Sequence, residues 1–446
     1  MFDSVNEPSF RLDVAGLSAS FEVLAFTGSE GISEPFAVDI DLLVDDPHLD
    51  LASLLYRSAF LQFGPLNNGL NGQLQGVVQH EHGEGSRLCR VTLGPKLRCL
   101  QLRFSQRIFS SQNVPQILAQ VLKEHGIVGV QRRFDLRSEY PVRTFCTQYR
   151  ESDLQFVQRL CAQARIHYYF EHRPDGHCLV FADDPPRLPV VDVASLDRGS
   201  APTVRRWQVE AEAGDVPERP AGTQRAEGHS ELPTLRSAQW LVLSGYPLAE
   251  CNRHWLLSRI EHRGDPASEP SYSNRLFATA QAPLPTLAST CARPRMHSLQ
   301  RAWVVTVDEP QPDDLRPVAV QFDWLYQGEG AAASHCWLPL APALSETALA
   351  SLREGVEVVV SFLEGDPDQP VISGVLQASA VLEDDDEASL PVLPDELPSA
   401  GLMQWLKSEE PLLLLCLMPG GGSYSHCTAS ICSCRLVASL DQGGAT

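Results

Sequence analysis

The chain has 446 residues, with 35 Lys+Arg against 56 Asp+Glu and a formal net charge of −21 at pH 7. That length accommodates roughly two to four domains and a sizeable core. The acidic balance excludes a phosphate backbone as the main partner, because nucleic-acid affinity rests on a basic footprint.

Most of the 12 cysteines sit singly in apolar runs, where Cys acts as a small hydrophobe. Residues 1–380 carry no disulfide spacing, so the folded part is expected to mature in a reducing compartment. The start, MFDSVNEPSF, lacks a basic n-region and an apolar h-region. The longest apolar run, Leu412–Met418, is far below the roughly 20 residues of a membrane helix. The expectation is a cytosolic product that, if it leaves, does so without a cleaved signal.

In chain order, Phe10–Val14 and Phe21–Thr27 read as short strands. After a turn at Gly28–Ser33, Phe36–Val44 alternates, with Phe36, Val38, Ile40 and Leu42 on one face and Asp39 and Asp41 on the other. Phe60–Phe63, Gly72–Glu81 and Arg87–Leu93 continue the pattern between Asn/Gly turns, predicting an antiparallel barrel or sandwich.

The period then changes. Val114, Ile117, Leu118, Val121 and Leu122 form a helical stripe, with Asn113 as N-cap, Pro115 in the first turn and Gly126 at the left-handed C′ position. A second helix is predicted at Asp153–Arg165, opened by the capping box Ser152-Asp153-Leu154-Gln155. It runs into the strand Ile166–Glu171, which pairs with Cys178–Ala182 across Pro174-Asp175-Gly176. Residues 185–236 read as loops around short strands such as Val204–Val209. Leu248–Glu261, with Leu256, Leu257 and Ile260 apolar, is predicted as a helix, and Tyr272–Ala278 as a strand.

From Ala302 five short strands follow: Ala302–Asp308, Pro317–Trp324, Cys336–Ala341, Gly355–Leu363 and Pro370–Leu376. That is the size of a small Greek-key barrel of the OB type. The last two form a hairpin across Gly365-Asp366-Pro367-Asp368, a turn in which each residue has a local conformational role. After Ala380 come the charge run Glu383–Glu387, prolines 391, 394 and 398, and a small Cys/Ser/His-rich end, with no lasting periodicity.

Three passages carry a family resemblance: the strand-turn-strand pattern of Phe21–Leu43; Gln148–His172 (QYRESDLQFVQRLCAQARIHYYFEH); and the run from Tyr272-Ser273-Asn274-Arg275 through Gln321-Phe322-Asp323-Trp324 to Phe362–Gly374. On these, over about residues 10–378, the chain resembles the VgrG family. Those are trimeric spike proteins of type VI secretion systems, themselves similar to hub and spike proteins of contractile phage tails. The resemblance implies a mainly β fold with helical insertions. A phage-hub-like domain over 1–295 would hold two β-barrel-like subdomains, with helices near 113–126 and 152–165. An OB-fold domain over 296–380 would follow, and composition makes 381–446 a disordered acidic linker and tail.

The resemblance also implies a homotrimer seated on the Hcp tube, baseplate components as neighbours, and effectors or their adaptors as cargo. Such a protein is cytoplasmic before assembly and then expelled by the contractile machine. The family pattern departs at Leu315-Arg316-Pro317-Val318, where Pro317 is expected at a strand start or edge. No needle-type short repeat follows Gly374, which puts a PAAR-type tip protein in doubt.

For chemistry, Asp366 and Asp368 are a carboxylate pair that could hold a cation, but the turn explains them unaided. His80-Glu81-His82 puts two histidines on one strand face without further ligands and reads as exposed loop residues. His426, Cys427, Cys432 and Cys434 are zinc-ligand types in a spacing that is no standard zinc framework. Gly420–Gly422 lacks the Lys-Ser/Thr of a phosphate loop, and Tyr168-Tyr169-Phe170 reads as strand core. No catalytic, cofactor or metal residue is assigned. The expectation is a non-enzymatic assembly protein, with two alternatives: a contractile phage or prophage tail hub, or a chain whose tail is a small metal-binding effector module.

Overall fold

Alternation along Phe36–Leu42 builds the strand at the middle of the first barrel. Six strands form it: β1 (Phe10–Val14), β2 (Phe21–Gly31), β3 (Glu34–Val44), β4 (Ser58–Phe63), β5 (Gly69–His82) and β6 (Arg87–Gly94). Their order is β1-β4-β5-β6-β3-β2, and β2 pairs back to β1 with Leu12 opposite Phe21, so the antiparallel set closes on itself. Val38, Ile40 and Leu42 are fully buried in its core. On the outer face Asp39 accepts from Thr92 and Asp41 from Arg90. Closure removes the unpaired edges an open sheet would expose.

The computed structural model describes residues 10–46, 48–82, 87–194, 203–209, 224–280, 293–311, 315–325, 335–342, 344, 352–376, 412–416 and 423–427. They divide into two units. The first holds the described residues of Met1–Ser105, Phe109–Thr144 and Gln148–Arg293; the second holds Gln106–Ile108, Phe145–Thr147 and the described residues of Pro294–Thr446. Among the described residues no helix is long and apolar enough to cross a membrane.

After the barrel come β7 (Phe104–Phe109), α1 (Val114–Glu124), β8 (Arg132–Asp135), β9 (Cys146–Ser152), α2 (Asp153–Ala164), β10 (His167–Arg173) and β11 (Gly176–Ala182). The stripe predicted for α1 is buried at all five positions, and Gly126 takes φ 66°. Asn113 caps α1 as predicted, and Gln116 reaches back to the Asn113 amide at 2.9 Å, completing a capping box. In α2 the Ser152–Gln155 box forms in both directions, 3.2 and 2.9 Å. β10 and β11 pair antiparallel, and β8 joins β11 parallel.

The rest of the first unit is β12 (Val190–Ala194), β13 (Val204–Val209), β14 (Arg225–Ser230), β15 (Trp240–Ser244), β16 (His254–Gly264) and β17 (Tyr272–Thr279). The predicted helix at Leu248–Glu261 is corrected: only a short 3-10 turn, Ala249–Cys251, precedes strand β16. A bulge between Leu257 and Arg259 adds a residue, so the buried positions step from Leu257 to Ile260. That spacing of three imitates one helical turn, and Leu256, buried on the opposite face, completes the false stripe.

β16 carries the first barrel into the second sheet. The end of β2, Phe26–Gly31, pairs with β16, so one long strand serves both. Phe26 lies opposite Gly264, where a Cβ would fall 2.0 Å from the Phe26 ring. Only glycine permits that approach. Trp207 and Trp255 meet in the second core with ring centroids 5.4 Å apart.

The second unit contains β18 (Gln300–Val304), β19 (Val318–Phe322), β20 (Cys336–Leu338), β21 (Glu357–Phe362) and β22 (Pro370–Leu376), in the order β20-β19-β18-β21-β22. The chain after β20 returns to β22. The Ile372 amide donates to Pro339 at 2.9 Å, and the Ala341 amide to Ile372 at 2.8 Å. The five strands thereby close as an OB-type barrel. Pro317 stands immediately before β19, where no ladder donor is needed. In the tail the described backbone forms one antiparallel pair, β23 (Leu412–Cys416) with β24 (Ser423–Cys427). The remainder of 381–446 lies outside the described residues.

Candidate functional site

The acidic turn of the β21–β22 hairpin is held on every side. Asp366 donates its amide to Leu363 at 2.9 Å, and its carboxylate accepts the Asp368 amide at 3.1 Å. Asp368 accepts the Thr147 amide at 2.6 Å, and the Thr147 hydroxyl donates to the Pro367 carbonyl at 2.8 Å. Thr147 is counted with this same unit. Gly365 adopts φ 69° against the His297 ring, and its carbonyl accepts the Met296 amide at 2.8 Å. The two carboxylates therefore serve backbone amides, each such charged bond contributing about 1.5–3 kcal/mol. This is a clamp on the end of the small barrel.

The other residues singled out from sequence separate. Tyr168, Tyr169 and Phe170 are buried on β10, with Phe170 edge-on to Phe36 at 5.1 Å and the Tyr168 hydroxyl accepting from Gln158 at 3.1 Å. His80, Glu81 and His82 belong to the backbone of β5, not to a loop, with Glu81 opposite Leu88. Their side chains lie outside the described residues. His426 and Cys427 end β24, while Gly420–Gly422, Cys432 and Cys434 are outside the described residues. Among the described residues, no three or more His, Cys, Asp or Glu gather as a metal set.

Two buried polar networks escaped the sequence. The first stands where β2 meets β16. Tyr272 accepts from Asn274 at 3.1 Å and directs its hydroxyl proton to His262 Nδ1 at 2.7 Å, which leaves Nε2–H to face Glu30 at 3.1 Å. Burial holds the His262 pKa below its ordinary value despite Glu30, and burial raises that of Tyr272. The second surrounds the start of α2. The Asp153 carboxylate, fully buried, meets His125 at 2.6 Å, accepts from Gln148 at 2.8 Å and forms an ion pair with Arg103 at 3.2 Å. One turn on, Arg159 and Glu151 pair at 2.6 Å with both side chains buried.

A third cluster joins the barrel to β10–β11. His172 Nδ1 stands 3.1 Å from the Asn71 amide and 3.2 Å from the Asn71 carbonyl, and His177 approaches the Asn71 side chain at 3.3 Å. Burial, then His177 and Arg236, pushes His172 well below the ordinary histidine value. Burial brings His177 down to about 4. Both rings are neutral at pH 7. The capping box marked Ser152 and Gln155, but no local signal marked Asp153, Glu30 or His262 as network members.

Comparison with known proteins finds relatives along most of the chain. The phage tail baseplate hub (GPD) family matches residues 29–214. The type VI secretion system spike protein VgrG4b of Pseudomonas aeruginosa is 34% identical over 509 aligned positions, covering 96% of this chain and 61% of that protein. VgrG5 of the same organism is 33% identical, covering 96% and 62%. The chain thus spans about three fifths of the length of these curated relatives. Among solved structures, the E. coli c3393 protein superposes with a TM-score of 0.70 at 23% identity, covering 82% of this chain and 99% of that one. It is described as a type VI secretion component structurally similar to the T4 bacteriophage tail proteins gp27 and gp5. At that identity the likeness establishes the fold.

Proposed function

The chain is homologous over nearly its whole length to the VgrG spike proteins of type VI secretion systems, and from that premise we propose that it forms the hub and collar of a trimeric spike. Three copies would bring their barrels into a ring that seats on the Hcp tube and on baseplate components. Effectors or their adaptors would travel with it. The assembled protein would be expelled from the cytoplasm by contraction. Its work on this reading is shape and interfaces, not catalysis.

The observation that carries the reading is the architecture read together with the relatives: a closed six-stranded barrel sharing strand β2 with a second sheet, and an OB-type barrel after it. Co-sedimentation with preformed Hcp tubes tests it. The full chain should pellet with the tubes and stay in the supernatant without them. Failure to pellet at tube saturation would overturn the proposal.

The hub-family match over 29–214 supports a second reading, a contractile phage or prophage tail hub. The same assay with a phage tail tube protein separates the two, because each hub should select its own tube.

A further inference from the structure

We propose that Tyr246 plugs the open edge of the second sheet and keeps strand β13 from pairing with β13 of a second copy. Strand β13 ends the sheet order, and among the described residues β14 is the strand it pairs with. An edge of this kind presents unpaired amides and carbonyls that template the addition of another strand.

Trp207 fixes which main-chain groups point outward. Its side chain is buried in the second core, while its amide donates to the Tyr246 hydroxyl at 3.1 Å. The same hydroxyl donates to the Trp207 carbonyl at 2.9 Å. Both main-chain groups of Trp207 therefore face away from β14. Along an antiparallel ladder this orientation recurs at every second residue. Trp207 lies opposite Gly228 and Val209 opposite Ala226, so Val209 presents its amide and carbonyl on the same edge. One hydroxyl supplies a donor and an acceptor. Tyr246 thus offers Trp207 the two bonds that a residue of an added strand would exchange with it.

The plug is anchored on both sides. The Tyr246 side chain packs, half-buried, against the second core, and Gly245 turns the chain into it with φ 71°. Asn252 closes the turn: its Oδ1 accepts the Tyr246 amide at 2.7 Å, and its Nδ2 donates to the Tyr246 carbonyl at 2.8 Å. The strand's own chemistry suits it to a second copy. In an antiparallel pair centred on Trp207, Arg206 lies opposite Gln208, so no like charges face each other there. Arg205, at the bulge of β13, is already paired with Glu231 through two nitrogens.

The test does not depend on the hub reading, because each full-length variant is compared with the wild-type chain at the same concentration. Tyr246→Phe keeps the ring and removes both bonds. Hydrogen exchange of the amides in peptides spanning 204–209, read by mass spectrometry, should quicken by about five- to tenfold. Tyr246→Ala removes the plug, and its light-scattering mass should climb above the wild-type value as concentration rises. Asn252→Ala, at an exposed position, loosens the turn and should give a smaller rise of the same kind. In the associated state the 204–209 amides should slow again, because a strand of the second copy covers them. A Tyr246→Phe exchange rate equal to wild type would overturn the proposal. So would a wild-type mass for both alanine variants at every concentration, or association that leaves the 204–209 amides fast.

Discussion

Two groups of carboxylates, one in each unit, are held in opposite ways. In the first, Glu30, Glu151 and Asp153 are buried and face histidine or arginine. In the second, Asp366 and Asp368 sit half-buried at a turn and accept backbone amides. A buried ion pair balances a large desolvation cost against a large attraction, so removing one partner is costly even where the pair adds little net stability. An aspartate capping a turn faces a smaller desolvation term and a local gain. The first arrangement secures how distant strands and helices meet, and the second secures one hairpin.

Breaking that contrast should give graded effects. The largest is expected at the buried pair. Arg159→Ala removes the buried cation paired with Glu151 and should lower stability by about 3–5 kcal/mol in chemical denaturation, whereas Glu151→Leu with Arg159→Met should recover most of it. A double variant as unstable as the single one would show that the charge itself is needed.

Next is the response to acid. His172, His177 and His262 are all held below their ordinary value when folded. The unfolded chain therefore takes up protons first as pH falls. The associated stability is complete above about pH 6.5 and is lost toward the folded values, about 4 for His177. His177 alone should account for roughly 3 kcal/mol of that loss. His177→Gln should flatten the acid limb between those limits in thermal melts, and an unchanged limb would assign the loss to other groups.

The turn comes third. Asp368→Ala removes the acceptor of the Thr147 amide and should cost about 2 kcal/mol, read as the melting shift of the full chain. Matching the Arg159→Ala loss would erase the contrast between the units. The smallest effect is expected from Ser152→Ala, which removes one side of the α2 capping box for about 1 kcal/mol.

What was legible in the sequence was local. The hairpin turn declares itself through Gly365, Pro367 and two aspartates within four positions, and both helix starts through their caps. The alternation of β3 and the stripe of α1 needed only their own segments. What stayed hidden depends on distance along the chain or on an interruption of period. Glu30 and His262 are 232 positions apart, so no window joins them. The β16 bulge gave a strand the spacing of a helix. Strands β7, β8, β9, β12, β14 and β15 are short or rich in polar residues and take their form from the neighbours they pair with.

The proposed working state of this fold is a three-copy ring. Multi-angle light scattering on the purified full chain tests it most directly. The account predicts a molar mass three times that of the 49.0 kDa chain, unchanged on dilution. A mass of one chain at every concentration would contradict it.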